Sequence, residues 1–225
     1  MVALGTDRYQ WAERHYRLMR GIWEAMRDLA NPATILTRSP LVLRDLDLLE
    51  LSDRAPLTAY FSIPTLDRQA WRETEPRSPN PRARLNAMHK IAAAGIPVGV
   101  IIAALLPGIN DDPEQISEVV ESAERAGAVS IDATALHLRG STKAVFMDWL
   151  RLRRPDLVDR YRELYGSGSE MAGHEQRCLK ALVGPRGYTW EQRVRELREE
   201  ERGGEQPAAI PNSKKPAQLT RWVRA

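Results

Sequence analysis

The stretch Ala94–Gln115, AGIPVGVIIAALLPGINDDPEQ, decides how the chain folds. Gly95 stops the helical pattern before it, and Pro97 to Leu105 is a strongly apolar run of strand length. At Pro107-Gly108 the proline sets a turn and the glycine permits positive φ. Asp112-Pro113-Glu114-Gln115 then opens a helix, with aspartate at the cap, proline in the first turn and glutamine placed for a capping box. A buried strand, a tight turn and a capped helix, in that order, make one β/α unit.

The same alternation continues on both sides. Upstream, Trp11 to Leu29 is amphipathic, with Tyr16, Met19, Ile22, Trp23, Met26 and Leu29 spaced for one helix face. It stops at Asn31-Pro32, and Ala33 to Thr37 reads as a short strand. Leu41 to Leu51 is helical, Leu57 to Ile63 is a strand, and Thr65 to Trp71 is a short helix. A proline-rich loop over Glu75–Pro81 precedes a helix from Arg82 to Ala94. Downstream, a helix ends at Gly127 and Val129 to Leu138 is the last strand. After Gly140 only helical patterns remain, over Ala144–Tyr165, Glu170–Leu182 and Tyr188–Glu201. Val2-Ala3-Leu4 has the look of the end of a further strand, so the chain is expected to begin mid-domain. Strands alternating with helices predict parallel α/β architecture, a barrel or a doubly wound sheet.

Composition bounds the function. The 225 residues are 43% hydrophobic and 28% charged, the balance of a globular chain with a core. No apolar run approaches the roughly 18 residues of a membrane span, and no leader pattern opens the sequence, so a cytoplasmic protein is expected. The single cysteine, Cys178, excludes an intrachain disulfide and a thiolate-rich metal site built from this chain alone. The net charge of +3 comes from the end of the chain: Arg202, Lys214, Lys215, Arg221 and Arg224 face Glu205 alone, and the body is close to neutral. That basic tail, 202–225, is expected to be disordered, and it is the feature that would give a salt-dependent affinity for nucleic acid.

In parallel β/α folds ligands lie over the carboxyl ends of the strands. The loops there are Gly5–Gln10, Thr37–Pro40, Ser62–Thr65, Leu106–Asp111 and His137–Gly140. The Pro107-Gly108-x-Asn110-Asp111 loop offers either backbone N–H groups for a ligand or an ordinary turn with a helix cap. Ser62 places a hydroxyl in an apolar strand end, to serve a ribose or the neighbouring backbone. His137 sits at a strand end; the four histidines have no metal-ligand spacing. No nucleophile elbow, dinucleotide fingerprint or P-loop is present. Glu75 with Arg82 and Arg84 reads as a surface ion pair of little consequence.

Eight stretches in order carry a resemblance. They are Ala3–Glu13, Ile35–Leu46, Phe61–Asp67, Thr74–Pro76, Ala94–Val100, Leu106–Asp111, Ala135–Gly140 and Val145–Leu150. Together they resemble the radical S-adenosylmethionine (SAM) superfamily, in its branch related to spore photoproduct lyase and labelled DNA repair photolyase-like, over roughly Val2 to Leu182. The resemblance implies a partial (β/α)6 TIM-type barrel over 1–140 lacking its first strand, a C-terminal helical extension over 141–201, and the tail. It implies SAM and a [4Fe-4S] cluster as cofactors, the cluster cleaving SAM reductively to a radical. Carried over by position, Thr6, Asp7, Tyr9 and Gln10 follow the second strand of that barrel, and Thr37 and Ser39 the third. Ser62 on the fourth lies nearest the ribose or amino-acid part of SAM. Pro107, Gly108 and Asn110 shape the adenosine side after the fifth, and His137 and Arg139 follow the sixth. The C-x-x-x-C-x-x-C segment of the family is absent from this sequence. The expectation is therefore a truncated, inactive form with an exposed sheet edge and an apolar barrel interior, or alternatively a non-catalytic module that binds a SAM-like small molecule.

Overall fold

A computed structural model describes residues 6–50 and 57–183. The expected strand at Val2–Leu4, the helix at Tyr188–Glu201 and the basic tail lie outside these residues. Four strands, β1 (Ala33–Thr37), β2 (Leu57–Ser62), β3 (Val98–Leu105) and β4 (Ala128–Ala135), form one sheet in the order β1-β2-β3-β4, with every pairing parallel. Parallel neighbours need long crossovers, and helices supply them. Before β1 come α1 (Glu13–Tyr16) and α2 (Leu18–Asp28); a 3-10 turn at Pro40–Asp45 leads to α3 (Leu46–Glu50). Between β2 and β3 lie α4 (Arg68–Thr74) and α5 (Pro81–Ala93), and α6 (Pro113–Arg125) joins β3 to β4. Beyond β4 follow α7 (Thr142–Arg153), a 3-10 turn at Pro155–Leu157, α8 (Val158–Tyr165) and α9 (Gly173–Ala181).

The register separates the sheet into two unlike faces. One face carries Ile35 on β1, Ala59 and Phe61 on β2, Val98, Val100 and Ile102 on β3, and Ile131 and Ala133 on β4, all buried. Leu85, Met88 and Ile91 of α5 and Ile116, Val119 and Val120 of α6 join them in a single core, so this face is closed by helices. The other face carries Thr34 and Leu36, Thr58, Tyr60 and Ser62, Gly99, Ile101 and Ala103, then Ser130, Asp132 and Thr134. Leu36 is exposed, Thr34, Tyr60, Ile101, Ala103, Asp132 and Thr134 are half-buried, and Thr58, Ser62, Gly99 and Ser130 are buried. Where an apolar interior is expected, the second face is mixed: Leu36, Ile101 and Ala103 stand among hydroxyls and Asp132, and it is partly open.

Local chemistry explains where helices start and stop. The continuous helix expected from Trp11 to Leu29 is broken at Arg17, which adopts φ 48° between α1 and α2. The buried Glu13 carboxylate receives Leu18 N and Met19 N, both at 3.1 Å, and so caps the second helix across that break. Met19 and Trp23 go to the core, whereas Tyr16, Ile22 and Leu29 stay exposed. The helix placed at Thr65–Trp71 begins instead at Arg68, because Asp67 accepts from Ala70 N at 2.7 Å and is the cap. The capping box on α6 is half formed. Asp112 accepts from Glu114 N and Gln115 N, both at 3.0 Å, but Gln115 Oε1 has no hydrogen-bond partner among the described residues. The long helix expected over Ala144–Tyr165 divides at Arg154-Pro155, where proline cannot continue the hydrogen-bond ladder. Helices α7 to α9 share the core rather than form one of their own, through Leu150, Tyr161 and Leu179. Among the described residues no helix is long and apolar enough to cross a membrane.

Candidate site at the strand ends and the open sheet face

The carboxyl ends of β1 and β2 are linked by side chains rather than by loose loops. Asp7 Oδ1 accepts from Tyr9 N at 2.9 Å and from Thr37 Oγ1 at 2.7 Å, and its Oδ2 accepts from Arg38 N at 2.7 Å. Thr37 Oγ1 in turn accepts from Ser39 N at 3.0 Å, and Ser39 Oγ from Leu41 N at 3.3 Å. The Arg38 guanidinium reaches Glu75 Oε1 at 3.2 Å, and the other Glu75 oxygen binds Arg84 at 2.7 Å. Arg84 is fully buried on α5; it also donates to Ser62 O and Pro79 O, both at 2.8 Å. Burial holds its pKa below the usual arginine value, and the facing Glu75 carboxylate offsets part of that. The surface pair read from the sequence is corrected here. Arg82 pairs with Glu118 on the outside, while Arg84 is a buried strut. Paired glutamate and arginine, with carbonyls filling the remaining N–H groups, are what a buried guanidinium requires.

The loop after β3 is closed upon itself. Asn110, 2% exposed, accepts from Leu106 N at 2.7 Å and donates to Pro64 O and Ala104 O, both at 3.1 Å. Gly108 N donates to Asp111 Oδ1 at 2.7 Å, and Ile109 N and Asn110 N both donate to Leu106 O. The N–H groups expected to be available for a ligand are therefore occupied, and Asn110 is a staple between the ends of β2 and β3. Gly108 has φ +81°, and a Cβ there would meet Leu157 Cδ2 at 2.8 Å, so this turn demands glycine on two counts. Pro107 is buried beside it.

Tyr9 lies in a second buried network. Its hydroxyl donates to Asp45 at 2.9 Å and accepts from Trp23 Nε1 at 2.7 Å, and Arg44 ties Asp45 to Glu13. Burial pushes the hydroxyl far above the ordinary tyrosine range, so it stays protonated. Tyr9 anchors α2 to the turn after β1. Thr6 and Gln10 remain exposed near Asp7. Ser62 Oγ donates to Ala103 O at 3.0 Å, the backbone alternative of the two read from the sequence. His137 and Arg139, both exposed, meet at Glu170 at 3.2 and 2.8 Å; Arg139 first, then His137, holds that carboxyl below its usual range. Tyr165 Oη on Leu136 O, 2.7 Å, and Leu138 N on Ser169 O, 2.8 Å, fasten the same loop to the C-terminal helices.

The open sheet face adds residues that the strand-end rule does not find. Ser130, Asp132 and Thr134 alternate along β4 with the buried Ile131 and Ala133, a period-2 signal present in the sequence Ala128–Ala135. Ser130 Oγ donates to Tyr60 Oη at 3.3 Å across Gly99. A Cβ at Gly99 would lie 2.5 Å from the Tyr60 ring and closer still to Ser130 Oγ, so the glycine lets the ring lie across the sheet. Among the described residues no group of three or more His, Cys, Asp or Glu side chains could hold a metal ion. Cys178 is exposed on α9.

Comparison with known proteins agrees with this geometry at the level of fold. No family model matches the chain. An uncharacterised protein of Mycobacterium tuberculosis is 39% identical over 187 residues, which are 82% of this chain and 55% of that protein. An uncharacterised protein of Acidianus two-tailed virus is 32% identical over 144 residues, 62% of this chain and 47% of its own length. The chain thus spans about half the length of the curated relatives it matches. Among solved structures, a tyrosine-to-phenylalanine mutant of spore photoproduct lyase superposes with a TM-score of 0.54 at 18% identity, covering 73% of this chain and 51% of that one. Spore photoproduct lyase complexed with dinucleoside spore photoproduct gives 0.53, also at 18% identity, covering 76% and 55%. The chain is similar in fold to spore photoproduct lyase.

Proposed function

We propose that these residues form the ligand-holding wall of a radical SAM-type barrel. One observation carries the reading: an all-parallel sheet closed by helices on one face leaves its other face, where Thr34, Tyr60, Asp132 and Thr134 stand among Leu36, Ile101 and Ala103, partly open. Parallel strands ordinarily bury both faces, and a partly open second face that carries polar side chains supports a ligand lying against it. The likeness to spore photoproduct lyase and the ordered motifs support the same assignment. On this reading SAM and its reaction partner lie against that face and the strand ends, bordered by Thr6, Gln10, Thr37, Ser39, Ser62, His137 and Arg139. Asp7, Tyr9, Pro107, Gly108 and Asn110 shape the border through the backbone that they hold. The wall's part in catalysis is to hold reactants in register and keep water away from a reactive intermediate.

The residues present do not fit the iron–sulfur cluster. Such a cluster takes several thiolates, and the one cysteine is exposed on α9. We assign the cluster to polypeptide other than these residues, in a protein of the relatives' length, and no chemistry of this chain runs through it. Anaerobic reconstitution with iron and sulfide tests the assignment. The full-length M. tuberculosis relative is expected to gain cluster absorbance and to release 5′-deoxyadenosine from SAM. The 225-residue chain is expected to do neither and to bind SAM in a calorimeter. Product from the isolated chain, or none from the reconstituted relative, overturns the proposal. SAM binding by both proteins with cleavage by neither favours the alternative of a non-catalytic SAM-like binding module.

A further inference from the structure

We infer that residues 188–201 of this chain pack as an antiparallel helix on the outer side of α7, with Trp190, Val194 and Leu197 seated on Val145, Trp149 and Leu152. The inference stands apart from the barrel-wall reading and needs no ligand on the sheet.

The seat is already built. Helix α7 turns Met147 and Leu150 into the core. On another side Val145 is 68% and Leu152 76% exposed, with the half-buried Trp149 between them. Their spacing, i, i+4 and i+7, makes one apolar stripe outside the helix's core-facing side. The Trp149 ring is held in place, because it stacks on Phe146 at 5.5 Å and Phe146 lies against the buried Tyr161 at 5.2 Å. A fixed aromatic centre with an exposed aliphatic on each side is a contiguous patch rather than scattered surface apolarity.

Spacing, charge and reach pick the occupant. Trp190, Val194 and Leu197 repeat i, i+4 and i+7, and Glu, Gln and Arg fill the positions between them. With the two stripes antiparallel, Leu152 faces Trp190 and Val145 faces Leu197. Helical spacing then sets Arg153 beside Glu191 on one flank and Asp148, which also holds Arg151 in its own helix, beside Arg193 on the other. Both flanks match in sign. Val183 is buried in the core that Leu150 shares, and Gly184-Pro185-Arg186-Gly187 follow, a composition that lets a chain reverse. The steps from Val183 to Tyr188 span up to about 17 Å, whereas packed helices lie about 8–10 Å apart. In this orientation Glu201 lies about 6 Å beyond Leu197, level with Ser141. The basic tail is thereby delivered beside the loop that carries His137 and Arg139.

Limited trypsin digestion of the full chain tests the seat, since docking shields the bond after Arg193. Cleavage there, read by mass spectrometry, is expected to be about tenfold faster in Leu152→Glu than in the wild type, in proportion to the undocked population. Leu152 is exposed, so a circular dichroism melt of that variant is expected to match the wild type. Arg153→Glu is expected to speed cleavage about twofold, and adding Glu191→Arg to restore it, the scale of one exposed ion pair. A disulfide gives an independent reading: Leu152→Cys with Trp190→Cys, in a Cys178→Ser background, is expected to close within one chain on mild oxidation. Equal cleavage rates in the wild type and Leu152→Glu overturn the proposal, whether both are fast or both slow. A disulfide that forms only between two chains overturns it too and gives the stripe to a second copy, and so does the failure of any disulfide to form.

Discussion

The two faces of the sheet are built on the same four strands, one residue out of step, and they obey different rules. The row through Phe61, Val100 and Ile131 is shielded from solvent and packed by α5 and α6. The neighbouring row through Leu36, Tyr60, Gly99 and Ser130 is led by an exposed leucine and a half-buried tyrosine. Because side chains alternate strictly along a strand, one sequence can specify both a core and a cavity lining at once. The closed face carries the packing of the sheet, and the open face, half-buried at Tyr60, Ile101, Asp132 and Thr134, is less constrained by it.

Four substitutions can break or sharpen that contrast. Phe61→Ala, in the middle of the closed face, is expected to lose about 3–5 kcal/mol in urea unfolding, since a buried ring leaves a cavity that the neighbours cannot fill. Arg84→Met comes next, at about 3 kcal/mol. It removes a buried cation, takes from Glu75 one of its two arginine partners and takes a donor from Ser62 O and Pro79 O. A loss below about 1 kcal/mol would show that Arg38 and water suffice for Glu75. Asp112→Ala deletes the cap of α6 and is expected to cost about 1 kcal/mol by the same measurement. Thr134→Val, on the open face, should change stability by less than about 0.5 kcal/mol. A large effect there would mean that the open face is packed after all, and the contrast would fail.

The parts of this molecule that were legible in its sequence are those set by local rules. Ala33–Thr37 is a strand with the bounds read from its apolar run, and Pro97–Leu105 is one residue shorter at its start, because Pro97 donates no N–H to the ladder. Asp112 and Gly127 bound α6 as caps do. What escaped was tertiary. Arg84 reads as a surface residue because charge in a helix usually faces water; only the meeting of α5 with the Glu75 loop makes it interior. Asn110 reads as a turn residue with groups to offer, and the fold takes them up on Pro64 and Ala104. Tyr60, Asp132 and Thr134 lie within strands, away from the strand-end loops to which the rule for parallel folds points. Their period of two was in the sequence, but its meaning depends on knowing which face the helices cover.

The run of contacts from Asp7 through Arg38, Glu75 and Arg84 to Ser62 has a kinetic consequence. Two acids and two bases alternate along it, and each holds a backbone group or a partner on a different segment. Releasing the segment that carries Glu75 leaves the Arg84 charge inside, so opening there is steeply uphill. The rim of the sheet therefore opens as one cooperative unit or stays shut. Backbone amides at Arg38, Ser39 and Ile63, though they belong to separate stretches of chain, are bound to a common clock for exchange with solvent.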